Sequence, residues 1–93
     1  MEIQRDDNGK KGLFRAIIDG EEVGLMTYTW AGSNKFIIDH TEVNPDFSGK
    51  GVGKQLVMAG VSFARENGLR VMPLCTYAKR VFDRTPAIRD ILF

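Results

Sequence analysis

The run Asn44-Pro45-Asp46-Phe47-Ser48-Gly49-Lys50-Gly51-Val52-Gly53-Lys54 holds the residues whose types and spacing point most directly to chemistry. Glycines alternate at Gly49, Gly51 and Gly53, between a strand-like run, Phe36 to Val43, and a helix-like run, Val52 to Asn67. Glycine at such a turn lets the backbone approach a ligand without interference from Cβ. The first amides of a helix lack intrahelical partners and carry the positive end of its dipole. A strand, a glycine turn and a free helix N-terminus together form a phosphate cradle. Two familiar cradles do not fit. A P-loop requires Gly-x-x-x-x-Gly-Lys followed by Ser or Thr. Aligned on Gly53-Lys54, this chain has Ser48 at the first glycine and Gln55 at the magnesium-binding hydroxyl. A dinucleotide fingerprint requires Gly-x-Gly-x-x-Gly. Its third glycine falls on Lys54 when read from Gly49, and on Leu56 when read from Gly51. A glycine turn before a helix is often only a tight connection. Here Val43, Pro45, the strand and the helix all stand in register with the glycines, which favours the cradle.

Read as Val43-Asn44-Pro45-Asp46-Phe47-Ser48-Gly49-Lys50-Gly51-Val52-Gly53, the segment fits V-x-P-x-x-(R/Q)-G-x-G-(I/V)-G. It resembles the acyl-CoA loop of the GCN5-related N-acetyltransferases. Ser48 is the departure, standing where that family usually has Arg or Gln, so that only its backbone amide is expected to serve. The likeness is closest to the minimal, single-domain subfamily sometimes called YjdJ-type. There the strand before the loop reads His-Thr-x-Val and a Pro-x-Cys follows the helix. This chain has His40-Thr41-Glu42-Val43 and Pro73-Leu74-Cys75. The resemblance implies acetyl-CoA as cosubstrate and an amine as acceptor. It also implies CoA contacts from Val43, Ser48, Gly49, Lys50, Gly51, Val52, Gly53 and Lys54, with the backbone of Val43 pairing with pantetheine.

Acetyl transfer to an amine is attack on a thioester. A lysine-like amine titrates near 10.4, so its neutral form at pH 7 costs about 4.6 kcal/mol. The reaction therefore needs a base or a desolvating pocket, donors at the thioester oxygen, and a proton for the leaving thiolate. His40 is the single histidine, of the residue type suited to a general base. Strand alternation is expected to place it on one face with Phe36, Ile38 and Glu42. Glu42 is an alternative base or an orienter of His40; its plain reading is a solvated strand carboxylate. Cys75 ends the fifth strand. A free cysteine is most often a small buried hydrophobe, but at this place it is also a candidate acyl acceptor or proton donor to the leaving group. The resemblance implies Tyr77, on the second helix, as another candidate for that proton. Lys50 and Lys54, with Arg80 and Arg84 one turn apart, could meet CoA phosphates, or be ordinary solvated charge. Trp30, Tyr28 and Phe36 read as sheet packing.

The elements that must hold these residues follow from turn signals and periodicity. Asp7-Asn8-Gly9-Lys10-Lys11-Gly12 is expected to be a hairpin turn between two short strands. Leu13 to Asp19 and Val23 to Trp30 read as strands, separated by Asp19-Gly20-Glu21-Glu22, and Phe36 to Val43 as a fourth. From Val52 the period becomes helical, with Leu56, Val57, Ala59, Gly60, Phe63 and Ala64 in one stripe and Gly68 as the stop. Leu69 to Cys75 reads as a fifth strand, parallel to the fourth through a βαβ crossover. Within it, Pro73 marks an edge, a bulge or a splayed pairing. Thr76 to Arg84 reads as a second helix with Thr76 as its cap. Pro86 to Phe93 is an apolar tail packing back on the sheet. The expected fold class is α/β (α+β). The resemblance implies an N-acetyltransferase-like core, an antiparallel meander followed by a βαβ unit with a splayed parallel pair and a short second helix.

The 93 residues are expected to form one small domain, with 43% apolar content enough for a core without staples. Thirteen basic and 12 acidic residues give a net charge of +1, which argues against a general nucleic-acid or membrane-surface binder. No apolar run approaches the ~18 residues of a membrane span, and the polar start Met1 to Lys10 does not read as a secretory signal. One cysteine excludes an internal disulfide framework and is most simply placed in the reducing cytoplasm. One Cys and one His make a poor metal set. A monomer or weak dimer is expected. The leading expectation is an acetyl-CoA-dependent N-acetyltransferase acting on an amine. The alternative, favoured by the short stretch after the second helix, is a non-catalytic acyl-CoA-binding module acting as sensor or partner protein.

Overall fold

The computed structural model describes residues 1–93. Five strands form one sheet in sequence order: β1 (Glu2–Asp7), β2 (Lys11–Ile18), β3 (Glu21–Trp30), β4 (Lys35–Val43) and β5 (Arg70–Pro73). The first four are antiparallel neighbours, and β5 runs parallel to β4. The crossover between these two is helix α1 (Val52–Asn67), and α2 (Thr76–Arg84) follows β5. Short local signals set the hairpins. Asn8 accepts the amides of Lys10 and Lys11 at 2.9 Å on its side-chain oxygen, and the Asp7 carboxylate takes that of Gly9. Asp19 and Gly20 form a two-residue loop with φ of 51° and 81°, the left-handed pair that matches the twist of a hairpin.

One face of the sheet is packed and the other is not. Phe14, Met26, Tyr28, Phe36 and Ile38 are buried beneath α1, which contributes Val52, Leu56, Val57, Val61 and Ala64 to the same cluster. On the opposite face, Leu13, Leu25, Thr27 and Ile37 are only half-buried and His40 is exposed. The second helix buries Ala78 and Phe82. The tail forms a 3₁₀ turn over Pro86–Ile91 and sends Leu92 alongside Val71 as a parallel bridge. The expected return of the tail to the sheet is thus met at its β5 edge. The second helix begins as predicted, but its N-cap is Cys75 rather than Thr76. No helix is long and apolar enough to cross a membrane.

Candidate active site

The site begins where β4 ends. Asn44 caps a 3₁₀ turn over Pro45–Phe47 by accepting the Asp46 amide at 3.0 Å. Gly49 and Gly51 then take φ of 77° and 75°, values that cost an L-residue roughly 1–2 kcal/mol. Gly51 is the N-cap of α1 and offers no capping side chain. The first helical bond is Gln55 N–H to the Gly51 carbonyl at 3.0 Å, and none of the amides from Gly49 to Lys54 donates to an acceptor in the chain. No acidic side chain occupies the first turn of α1. The dipole and those amides therefore face outward uncompensated, with Lys50 and Lys54 beside them. A Cβ on Gly49 or Gly51 would meet nothing within 4 Å, so the cradle is open. Ser48 differs from expectation: its amide already donates to the Pro45 carbonyl at 3.2 Å, closing the 3₁₀ turn. Its side chain is the part left free to meet a ligand.

Next to the loop the parallel pair comes apart. Pairing between β4 and β5 runs from Lys35↔Arg70 to Ile38↔Pro73 and stops. The amides of Leu74 and Cys75 both donate to the Ile38 carbonyl, at 3.1 and 3.2 Å. Past that point, Asp39 to Val43 has no β5 partner. Proline at the last pairing position removes one donor, and β5 turns away into α2.

A bulge in β4 decides which way the candidate catalytic side chains point. Tyr28 stands opposite Ile38 and Thr27 opposite His40, so Asp39 is the extra residue. Its carboxylate accepts the Thr29 hydroxyl at 2.7 Å. An extra residue inverts the alternation beyond it. His40 and Glu42 share a face as expected, but not the face of Phe36 and Ile38, which are buried under α1. The register carries His40 and Glu42 to the open side and puts Thr41 and Val43 beside Met26 and Gly24 on the α1 side. His40 lies in a hollow of about 700 Å³ on the open face, with Leu13, Thr27, Asp39 and Asp6 in its lining.

Cys75 is half-buried where the strands part, its Sγ 3.6 Å from the Thr41 Oγ1. From sequence, Thr41 enters only as a position of the His40-Thr41-Glu42-Val43 motif, with no role of its own. The contact depends on a bulge and on a strand pairing distant in sequence, and neither has a local signature. The head of α2 meets the head of α1 at Tyr77: a Cβ on Gly53 would lie 2.6 Å from the tyrosine hydroxyl. Gly53 is thus required by close approach, and Tyr77 stands at the cradle's rim. Lys54, Arg80 and Arg84 line a hollow of about 330 Å³ with Tyr77, extending the basic character of the loop between the two helices. The structure therefore gathers Lys54, Tyr77, Arg80 and Arg84 on one side. It brings Cys75 and Thr41 together at the parting, and leaves His40 and Glu42 across the sheet.

Comparison with known proteins agrees with this architecture. The profile of the family described as GCN5-related N-acetyl-transferase matches residues 13–91. Protein NATD1 of Xenopus tropicalis is 26% identical over 85 residues, covering 90% of this chain and 78% of that protein. The solution structure of a GCN5-like protein from Staphylococcus aureus superposes with a TM-score of 0.72 at 30% identity, covering 99% of this chain and 87% of that one. Two other structures share the fold at lower identity. The ribosomal-protein-alanine N-acetyltransferase of Brucella melitensis has a TM-score of 0.72 at 20% identity over 83% of this chain, which spans 62% of that one. Aminoglycoside N-acetyltransferase AAC(6′)-Iy, solved with CoA, has a TM-score of 0.66 at 17% identity, covering 89% of this chain and 88% of that one.

Proposed function

We propose that this chain, which belongs to the GCN5-related N-acetyltransferase family, transfers the acetyl group of acetyl-CoA to an amine. Acetyl-CoA is the cosubstrate of that family. The observation that carries the proposal is the row of unpartnered amides from Gly49 to Lys54 at the head of α1, on a backbone turned outward by Gly49 and Gly51. These amides are the donors for the CoA pyrophosphate. Lys50, Lys54, Arg80 and Arg84 supply positive charge around it, the Ser48 hydroxyl adds a polar contact, and Val52 and Gly53 form the floor. The stretch of β4 from Asp39 to Val43, paired with β3 on one side but without a β5 partner on the other, offers main-chain groups to pantetheine, with Val43 nearest the loop.

In this reading the acceptor nitrogen attacks the thioester carbonyl, a C–N bond forms and the C–S bond breaks. His40 takes the amine proton from the open face, with Glu42 two residues on as the supporting carboxylate. The departing thiolate takes a proton from Cys75 or Tyr77. In a second route the Cys75 thiolate is acylated first, the new thioester forming as the bond to CoA sulfur breaks. Its support is the half-buried thiol at the parting of the strands. The site favours an intracellular, reducing setting in which that thiol stays free.

Incubation with acetyl-labelled acetyl-CoA and a panel of primary amines tests the proposal. Label is expected on an amine, with free CoA released in equal amount. Retention of intact acetyl-CoA without release of CoA would support the binding-module alternative. Absence of any CoA binding would overturn both. Intact mass of wild type and Cys75→Ser separates the two routes, because only an acyl-cysteine adds an acetyl group that the serine variant lacks.

A further inference from the structure

We infer that Thr41 is a positioning residue for the Cys75 thiol, acting through a side-chain hydrogen bond across the gap between the parting strands. The inference deepens the reading in which Cys75 takes part in acetyl transfer. The last main-chain link between β4 and the chain leaving β5 is at the Ile38 carbonyl. Beyond it, the Cys75 Sγ and Thr41 Oγ1 lie 3.6 Å apart, a hydrogen-bonding separation for sulfur because of its size. Thr41 reaches this place because of the bulge at Asp39. Without the extra residue, the alternation that buries Phe36 and Ile38 would send position 41 to the open face. With it, Thr41 pairs with the buried Met26 and turns toward Cys75.

The chemistry of the pair favours a functional contact. A neutral thiol is a weak donor, whereas a threonine hydroxyl rotates to donate or accept. With Cys75 protonated, the thiol donates to the Thr41 oxygen. Once the proton leaves, the same hydroxyl turns and donates to sulfur, and a hydrogen bond to an ionised acceptor is about twice as strong as a neutral one. The amides at the start of α2 add positive potential at its N-cap, Cys75. Cys75 makes no side-chain capping bond there, so Thr41 is the partner its sulfur has. The titratable groups on the surrounding elements are placed elsewhere. His40 and Glu42 are on the opposite face of β4, and Lys79 pairs with Asp83 at 3.3 Å. The Tyr77 hydroxyl lies against Gly53, and Lys54 faces the hollow with Arg80 and Arg84.

The chain has a single cysteine, so alkylation by iodoacetamide, followed by intact mass across a range of pH, reads this thiol alone. Thr41→Val keeps the shape and removes the hydroxyl. It is expected to slow alkylation near neutral pH about tenfold, the size of one hydrogen bond to an ionised group, and to displace the rate–pH curve toward alkaline pH. Thr41→Ser should return both to within about twofold of wild type, since it keeps the oxygen. A change in access alone would scale the curve without displacing it. Superposition of the valine and wild-type curves, a curve scaled but not displaced, or a serine variant as slow as valine would overturn the inference. Should the valine variant fail to fold, the S–H Raman band of the wild type decides. It is expected at lower wavenumber than in the urea-unfolded chain, and coincidence of the two bands would overturn the assignment. Both measurements are made without acetyl-CoA, so their failure is separate from failure of the transfer reaction, which the label assay reads.

Discussion

At the scale of single residues, the loop glycines, His40 and Cys75 are the most direct tests of the proposed function. Gly51 sits at φ 75° as N-cap of α1. Gly51→Val places a β-branched side chain in a left-handed conformation at a cost of roughly 1–2 kcal/mol and adds bulk beside the free amides. It is expected to lower CoA affinity at least about tenfold, the effect of losing one to two charge-assisted hydrogen bonds, in a protein that still folds. Calorimetry showing unchanged affinity would remove the loop from the CoA site. His40, exposed on the open face, accepts a proton only when neutral. The acetylation rate should therefore fall toward acid, and His40→Ala should abolish that limb and reduce kcat by about 10² to 10⁴ while CoA affinity stays within about twofold. A mutant that keeps the acid limb would pass the role to Glu42 or to the acceptor's surroundings. Saturating acetyl-CoA should slow alkylation of half-buried Cys75, whichever route operates. Equal rates with and without ligand would make the thiol structural.

At the scale of elements, two helix heads and a parted strand pair make the site. The heads of α1 and α2 approach because Gly53 has no Cβ, leaving space that the Tyr77 hydroxyl fills. Gly53→Ala is expected to destabilise by about 1–3 kcal/mol through overpacking and to loosen CoA binding by pushing α2 off the cradle. Adding Tyr77→Ala should relieve much of the stability loss, because neighbours that share a contact are not additive. Strict additivity of the two changes in denaturant titrations would show that the helix heads do not depend on this contact. The bulge at Asp39 is the second element-scale device. It separates a lower half of β4, which packs Phe36 and Ile38 against α1, from an upper half that turns His40 outward and Thr41 inward.

At the scale of the whole molecule, one packed face carries the stability and a polar hub ties the edge strand to it. Asp7 accepts hydrogen bonds from Tyr28 at 2.6 Å and Trp30 at 2.8 Å. Arg5 donates to the Tyr28 hydroxyl at 2.9 Å and lies over the Phe63 ring. Burial pushes the Asp7 carboxyl up, but hydrogen bonds from Tyr28, Gly9 and Trp30, together with the Arg5 charge, outweigh it and hold Asp7 below the usual carboxylate value. A depressed folded-state value means that the ionised form stabilises the fold. That contribution is present above the unfolded-state pKa and is lost as pH falls through the folded one. Tyr28 behaves oppositely: burial, then its hydrogen bond to Asp7, pushes it up to about 12. Its contribution is whole below the ordinary tyrosine value near 10 and is lost as pH rises toward about 12. Asp7→Asn is therefore expected to flatten the acid limb of Tm against pH. At pH 7 it should lower Tm by no more than about 4 °C, because solvent screening at this exposed residue keeps its charge contribution within ~1 kcal/mol. An acid limb as steep as in wild type would place the acid sensitivity elsewhere.

Much of this protein was decided by short-range signals that act before tertiary structure forms. The run from Val52 to Asn67 is helical over those same residues, because apolar spacing and Gly68 are local facts. The turns at Asn8-Gly9 and Asp19-Gly20 follow from side chains and glycine conformations that need no distant partner. The glycine spacing of the loop fixed where an anion could sit, since amide availability at a helix start is a property of the backbone. What the tertiary structure alone decided is direction and contact. The face of His40 depends on the β3–β4 register, and a bulge leaves no mark in composition because Asp39 is as ordinary in a regular strand's exposed position as in an irregular one. The pairing of Cys75 with Thr41 and the fit of Tyr77 over Gly53 join positions 34 and 24 residues apart in the chain. Such contacts come from packing two helices and five strands into one molecule, and periodicity along the chain carries no term for them.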